Sequence, residues 1–283
     1  MDREIRWNIE WLRCPECGGD LFSEEEKLGC RSCNKTYPVR NGIPVFLKSF
    51  LKEEEEVEKE FWEEKYDSQE DGSFKTLSDS SYVRIINSFS IPEGGVGLEF
   101  ACGSGAFSDF IRKSRMVGLD ISFSLLDRAR SVIPIQGSGE NLPFRDGLFD
   151  FVLCAAALHH IPDLEKAIRE IKRVLKNDGC VFIFELNANH PQRKLVSKRQ
   201  SPWRKPFTAT HFSPAENLIP EKVIMHSLEK NNFLIESVSY LSPRYRTWTL
   251  AGKTQELVSM ALARGPLAKY IESYYLIRAK RIQ

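Results

Sequence analysis

The stretch "GVGLEFACGSG", Gly95 to Gly105, reads as an apolar strand running straight into a glycine turn. Behind it "AFSDFIRKS" predicts a helix, "MVGLDIS" a second strand ending in Asp120, and "FSLLDRARSV" a second helix. A third strand ends near "IPIQGSGENLPF". This alternation is βαβαβ, half of a doubly wound α/β sheet. In such sheets ligands bind at the carboxyl ends of the strands. Gly103 and Gly105 let backbone amides approach a ligand closely, and the helix that follows points its positive end at it. Asp120, closing the second strand, is placed to accept hydrogen bonds from both hydroxyls of a ribose. The register Gly103-Ser104-Gly105-Ala106-Phe107-Ser108 lacks the third glycine of a dinucleotide fingerprint, and no Gly-Lys-Ser/Thr follows. Dinucleotides and a P-loop nucleotide therefore fall behind.

Further on, "LEKAIREIKRVLKNDGCVFIFEL" predicts a helix buried along Leu164, Ile168, Ile171 and Leu175, stopped by Asp178-Gly179, and a fifth strand. "PEKVIMHSLEKNNFLIESVSYLS" adds a helix and a strand, and "YIESYYLIRAKRI" the terminal strand, which makes a seven-stranded sheet. Two stretches break the periodicity. Residues 188–215 are irregular and carry Arg193, Lys194, Lys198, Arg199, Arg204 and Lys205, with Trp203, His190 and His211 among them. Residues 244–268 form an apolar and basic helical insert, suited to lining an acceptor pocket or to self-association.

Upstream, Cys14-x-x-Cys17 and Cys30-x-x-Cys33 form two knuckles, each turning two thiolates toward one tetrahedral ion. Residues 1–50 are too few to bury a sufficient core, so structural Zn²⁺ supplies the stability. A redox dithiol is the rival reading, but one active pair needs no matched second pair. "WLRCP" and "TYPVRNGIPVFL" read as short strands, with Asn41-Gly42 as a hairpin turn. This module resembles the zinc ribbons that partner tRNA and protein methyltransferases, and the ribbon of ribosomal-RNA guanine methyltransferases. Residues 51–80 follow as a charged helix with Val57, Phe61, Trp62 and Tyr66 at helical spacing. It is either a linker docked by that aromatic stripe or a flap over the nucleotide fold, and the stripe favours the linker.

Bulk composition fits a soluble cytoplasmic chain. Its 283 residues are 42% hydrophobic with a net charge of +1, and no uncharged apolar run reaches about eighteen residues. Near-neutrality argues against indiscriminate binding of nucleic acid, although Lys52 to Asp71 is acidic and Arg193 to Lys205 basic. Seven cysteines, four of them in two tight pairs, fit a metal site in a reducing compartment.

"LEFACGSG", "GLDIS" and "ENLPFRDGLFDFVLCAAALHHI" together resemble the successive motifs of class I S-adenosylmethionine-dependent methyltransferases, in particular the ubiquinone/menaquinone branch. The resemblance implies a Rossmann-like doubly wound seven-stranded sheet over 81–283 and S-adenosylmethionine as cofactor. It places Glu99 near the methionine part of the cofactor and Ala101, Cys102, Gly103, Ser104 and Gly105 in its turn. Asp120 falls at the ribose, Ile121 beside adenine, Ser138, Gly139, Glu140, Asn141 and Leu142 in the adenine-side loop, and Cys154 and Ala155 under the sulfonium. Two positions depart from the pattern: Ala101 replaces a usual glycine, and Ser138 an acid that often receives the adenine amino group. His159 is the candidate general base, ahead of His160. The expected acceptor is a small molecule, lipid or glycan precursor. The alternatives are an RNA base held by ribbon and basic loop, and a cofactor-binding partner protein without turnover.

Overall fold

The computed structural model describes residues 7–47, 51–67, 77–191, 218–242 and 268–282. Most of the expected insertion at 188–215, with the basic cluster, Trp203 and His211, lies outside the described residues, as does nearly all of that at 244–268.

The first unit is a four-stranded antiparallel ribbon of β1 (Leu21–Glu24), β2 (Lys27–Cys30), β3 (Thr36–Arg40) and β4 (Ile43–Pro44), in that order. Asn41 and Gly42 both take positive φ, 49° and 73°, as a two-residue hairpin turn between β3 and β4 requires. "WLRCP" is not a strand. Ile9–Trp11 is a single 3-10 turn capped by the Asn8 side chain, and Leu12 makes one bridge to Phe144.

The second unit is a seven-stranded sheet of β5 (Val96–Phe100), β6 (Arg115–Asp120), β7 (Ile133–Gln136), β8 (Phe149–Ala155), β9 (Leu175–Leu186), β10 (Phe233–Leu241) and β11 (Tyr274–Arg281). Their order is β10-β11-β9-β8-β5-β6-β7. β9, β8, β5, β6 and β7 run parallel, β11 is antiparallel to β9, and β10, antiparallel to β11, runs in the direction of the five. Strand order reverses between β5 and β8, which puts the crevice for a ligand at their carboxyl ends. α4 (Leu164–Val174) covers one face through Ala167, Ile168, Ile171 and Val174. It ends there, and β9 takes up the chain from Leu175, so Asp178, at φ 64°, lies inside the strand instead of stopping the helix. α2 (Asp79–Phe89) lies on the other face, and α3 (Phe123–Arg128) follows β6. α5 (Glu221–Lys230) precedes β10, and a single turn, α6 (Ala268–Ile271), precedes β11.

The helix expected after Gly105 is absent. Ser108–Phe110 is only a 3-10 turn. Phe107 and Phe110 both turn to Tyr82 of α2, with ring centroids 4.8 Å and 5.2 Å away, while Ser108 is tied to Glu99. α2 thus fills the layer that a crossover helix would occupy.

The ribbon docks on the exposed edge of β7. Val45 forms a parallel bridge to Gln136, Phe46 N–H donates to the Gln136 carbonyl (2.8 Å), Arg13 N–H to Pro143 (3.0 Å), and Arg145 N–H to Trp11 (2.9 Å). Leu12, Leu28, Tyr37 and Phe46 share a core with Phe144 and Phe149, so the two units are joined by backbone pairing and by packing. Arg13–Asp146 (2.9 Å) and Arg145–Asp20 (2.8 Å) rim this seam.

α1 (Glu53–Asp67) lies across the carboxyl ends of the strands, docked by buried acids as well as by Trp62 of the aromatic stripe, while the Tyr66 side chain lies outside the described residues. Val57, Phe61 and Trp62 are half-buried, whereas Glu55 and Glu58 are buried. Glu55 accepts from the Ser138 hydroxyl, Glu58 faces His160 Nδ1 at 3.2 Å, and Glu63 accepts from Phe123 N–H at 3.3 Å.

Candidate active site

At the end of β5 the chain turns through Ala101 (φ 51°), Gly103 (φ 52°) and Gly105 (φ 79°). Ala101 therefore carries a Cβ where the backbone is left-handed, at a cost of roughly 1 kcal/mol. Asp120 Oδ2 accepts from Gly103 N–H (2.7 Å) and Oδ1 from Ser122 N–H (2.9 Å), which holds the carboxylate against the turn. Burial raises the Asp120 pKa against those two donors. The Gly105 amide is spent on the Cys102 carbonyl (2.8 Å), so the open side of the turn is formed by Ala101, Gly103 and Ser104, all half-buried. Cys102 faces inward: a Cβ added to Gly118 would lie 2.6 Å from its sulfur. Glu99 is buried under the turn and accepts from Ser108 N–H (3.1 Å) and the Ser108 hydroxyl. Burial pushes its carboxyl up to about 7.

Ile121, half-buried, follows Asp120, and its carbonyl accepts from Gln136 Nε2 (2.8 Å). The loop after β7 is tied down on every side. Glu140 N–H donates to Ser138 Oγ (3.1 Å), Asn141 N–H to the Ser138 carbonyl (3.2 Å), and Leu142 N–H to Glu170 (2.8 Å). Gly139 rests against Phe100, whose ring an added Cβ would meet at 2.4 Å. Glu140 is buried, paired with Lys52 at 2.5 Å, and accepts from Asp163 N–H (3.0 Å), so its side chain braces the loop.

Cys154 is fully buried in β8, and Ala155, half-buried, ends the strand. Beyond them the strand exit is gathered by Glu185 of β9. One oxygen of Glu185 accepts from the N–H groups of Ala157 (2.8 Å) and Leu158 (2.6 Å), and the other lies 2.6 Å from His159 Nδ1. Burial pushes the Glu185 carboxyl up, but His159 and those two N–H groups outweigh it and hold it below its ordinary value. The His160 ring lies 4.0 Å from that of His159 and meets Trp62 edge-on at 5.6 Å. His190 is buried beyond β9, its N–H donating to Asn187.

Sequence reasoning missed Glu185 and the two buried acids of α1. The only cue to Glu185 was a single charged residue in the apolar run "VFIFEL". Glu55 and Glu58 lay hidden in a run of glutamates that reads as a solvated face.

The four ribbon cysteines converge, their sulfurs all within 4.8 Å of one another. Cys14–Cys33 (3.7 Å) and Cys17–Cys30 (3.5 Å) match the separation of about 3.8 Å that four sulfurs take around a tetrahedral zinc at about 2.3 Å. Cys14, Cys17, Cys30 and Cys33 therefore fit a closed structural zinc site. Tyr37 OH sits 3.0 Å from Cys14 Sγ, in the outer shell of that cluster.

Residues 98–183 match the family described as methyltransferase domain, and residues 9–42 the family described as Trm112p-like protein. A demethylmenaquinone methyltransferase of Staphylococcus epidermidis is 29% identical over 113 residues, 36% of this chain and 47% of that protein. This chain spans about half the length of the curated relatives it matches. Among solved structures, the geranyl diphosphate C-methyltransferase of Streptomyces coelicolor A3(2), solved with S-adenosyl-L-homocysteine, superposes with TM-score 0.58 at 16% identity, covering 82% of this chain and 99% of that one. The complex of the Haloferax volcanii Trm112 methyltransferase activator with a putative methyltransferase gives 0.54 at 14% identity, covering 83% and 100%. Residues 98–183 of the seven-stranded unit thus match a methyltransferase domain and are similar in sequence to a menaquinone enzyme, the unit has the fold of methyltransferases, and the four-cysteine ribbon on the edge of its sheet matches the Trm112p-like family.

Proposed function

We propose that the chain is an S-adenosylmethionine-dependent methyltransferase acting on a small-molecule, lipid or glycan-precursor acceptor, with structural zinc in the ribbon. The observation that carries this reading is the Asp120 carboxylate, pinned against the glycine turn at the point where strand order reverses. When bound, S-adenosylmethionine supplies an electrophilic methyl group on a sulfonium. The residues at the strand ends have three tasks. Asp120 accepts from the ribose hydroxyls, while Ala101, Gly103 and Ser104 give the backbone room for the adjoining chain of the cofactor. Gly139, Asn141 and Leu142 shape the wall beside the base. His159, its Nδ1 engaged by Glu185, is the group assigned to take the proton of an attacking hydroxyl or phenol. Alignment and exclusion of water supply most of the acceleration in such a displacement, and α1 covers the mouth where water would enter.

α1 also favours the small acceptor. Glu53, Glu54, Glu55, Glu56, Glu58, Glu60, Glu63 and Glu64 place a block of negative charge across the cleft, which repels a phosphate backbone. A second reading, an RNA or protein acceptor, is favoured by the Trm112p-like ribbon and by the Haloferax volcanii complex. The test is transfer of labelled methyl from the cofactor into fractionated extract, with and without nuclease and protease. Label in a small extractable product supports the first reading. Label lost on nuclease or protease treatment supports the second, and no label in any fraction removes both.

A further inference from the structure

Glu55 is about nine-tenths buried although it stands in a run of glutamates whose neighbours Glu53 and Glu54 are exposed. Two neutral donors reach it, the Ser138 hydroxyl and, at 3.2 Å, the Lys52 N–H. Among the described residues no cation pairs with it, since the Lys52 ammonium is drawn to Glu140. A carboxylate kept in such a place wants further donors. Its location says which. Asp120 of β6 pairs in register with Gln136 of β7, and Gly137 N–H donates to the Asp120 carbonyl (3.0 Å), so Ser138 lies one strand over and two residues past the level of Asp120. Asp120, on the neighbouring strand, is a second buried carboxylate that accepts from main-chain N–H groups. Two such carboxylates on adjacent strand ends suit one ligand that carries hydrogen-bond donors at both of its ends. A nucleoside with ribose hydroxyls at one end and an exocyclic amine at the other has that form. The Ser138 oxygen already accepts from Glu140 N–H and gives its proton to Glu55, so the charged carboxylate beside it is the stronger acceptor for the amine.

We propose that Glu55, delivered from α1, is the acceptor for the exocyclic amine of the cofactor's adenine, so that α1 forms part of the cofactor site and selects an amino purine over an oxo purine. This rests on the reading that an adenosyl cofactor binds at these strand ends. A base with a carbonyl in place of the amine would set oxygen against carboxylate, and the penalty belongs to Glu55 rather than to the loop.

The experiment is calorimetric titration of the full chain with S-adenosylhomocysteine and with its inosine counterpart, using wild type, Glu55→Gln and, as a control on the exposed face, Glu54→Gln. Wild type and Glu54→Gln are expected to prefer the adenosine form by about 10-fold to 100-fold, the range of a hydrogen bond to a charged group. Glu55→Gln should lose most of that preference while keeping its thermal midpoint. In case Glu55→Gln folds poorly, Glu55→Asp, which keeps the charge but draws it back from the base, is the second test: a reduced preference supports the proposal, and an undiminished one in the folded variant overturns it. Undiminished preference in a folded Glu55→Gln overturns it, because the base then finds its partner elsewhere. Tighter binding of both forms by Glu55→Gln also overturns it, since Glu55 would then be a plug. If wild type binds neither form, the methyltransferase reading fails with it.

Discussion

His159 Nδ1 lies 2.6 Å from Glu185 Oε2, and the second oxygen of Glu185 is held by two main-chain N–H groups from the same turn. The carboxylate therefore fixes both the backbone that carries the imidazole and the ring itself. His159→Ala is expected to lower kcat by about 100-fold or more, with little change in cofactor affinity. Glu185→Gln should lower kcat in the same direction, with Glu185→Asp recovering part of the loss. Steady-state kinetics with separate cofactor titration is the check, and full activity in His159→Ala would remove the base from the mechanism.

Glu99 gives a pH dependence opposite to that of an ordinary carboxylate. Burial raises its folded pKa from 4.5 to about 7, so between those values the native state holds a proton that the unfolded chain has released. Its contribution to stability is complete below about 4.5 and is lost as pH rises through about 7, by roughly 3 kcal/mol in all. Denaturant unfolding at pH 5 and pH 8 should show wild type losing stability across that window more than Glu99→Gln does. Equal slopes for the two proteins would contradict the assignment.

Ala101 sits at φ 51°, where a Cβ crowds the following carbonyl. Ala101→Gly is expected to stabilise the chain by about 1 kcal/mol, seen as a higher denaturant midpoint at unchanged slope. It should also tighten cofactor binding, since the methyl no longer faces the turn. A lower midpoint would show that neighbouring packing, not φ, governs the position.

Stripping metal from the ribbon should reach the cofactor site. The loop 137–142 is bracketed by two ribbon contacts, Phe46 N–H on Gln136 and Arg13 N–H on Pro143. Chelation, or Cys30→Ser, is expected to unfold the ribbon, lower the thermal midpoint by several degrees and weaken cofactor binding about tenfold. Binding unaffected by chelation, with loss of metal verified by mass spectrometry, would mean that the seam is passive.

The strand ends were legible because their chemistry is local: a glycine pair after an apolar run, an acid closing the next strand, and Asn41-Gly42 between two short strands each carry their own geometry. What stayed hidden depends on partners far along the chain. Nothing in "AFSDFIRKS" says that Phe107 and Phe110 turn to Tyr82 and so forgo a helix. Glu55 reads as solvated until Ser138, 83 residues on, is brought against it. Val45 and Phe46 look like the close of a ribbon and reveal no bond to β7, because a free sheet edge is a property of topology rather than of any one segment.

The ribbon's seat on β7 also bears on stoichiometry. A module carried on the same polypeptide meets its docking edge at an effective concentration of order millimolar, whatever the abundance of the protein. One ribbon is therefore supplied to each sheet edge, and dilution should not dissociate the two. The edge that would otherwise template pairing with foreign strands is guarded from within.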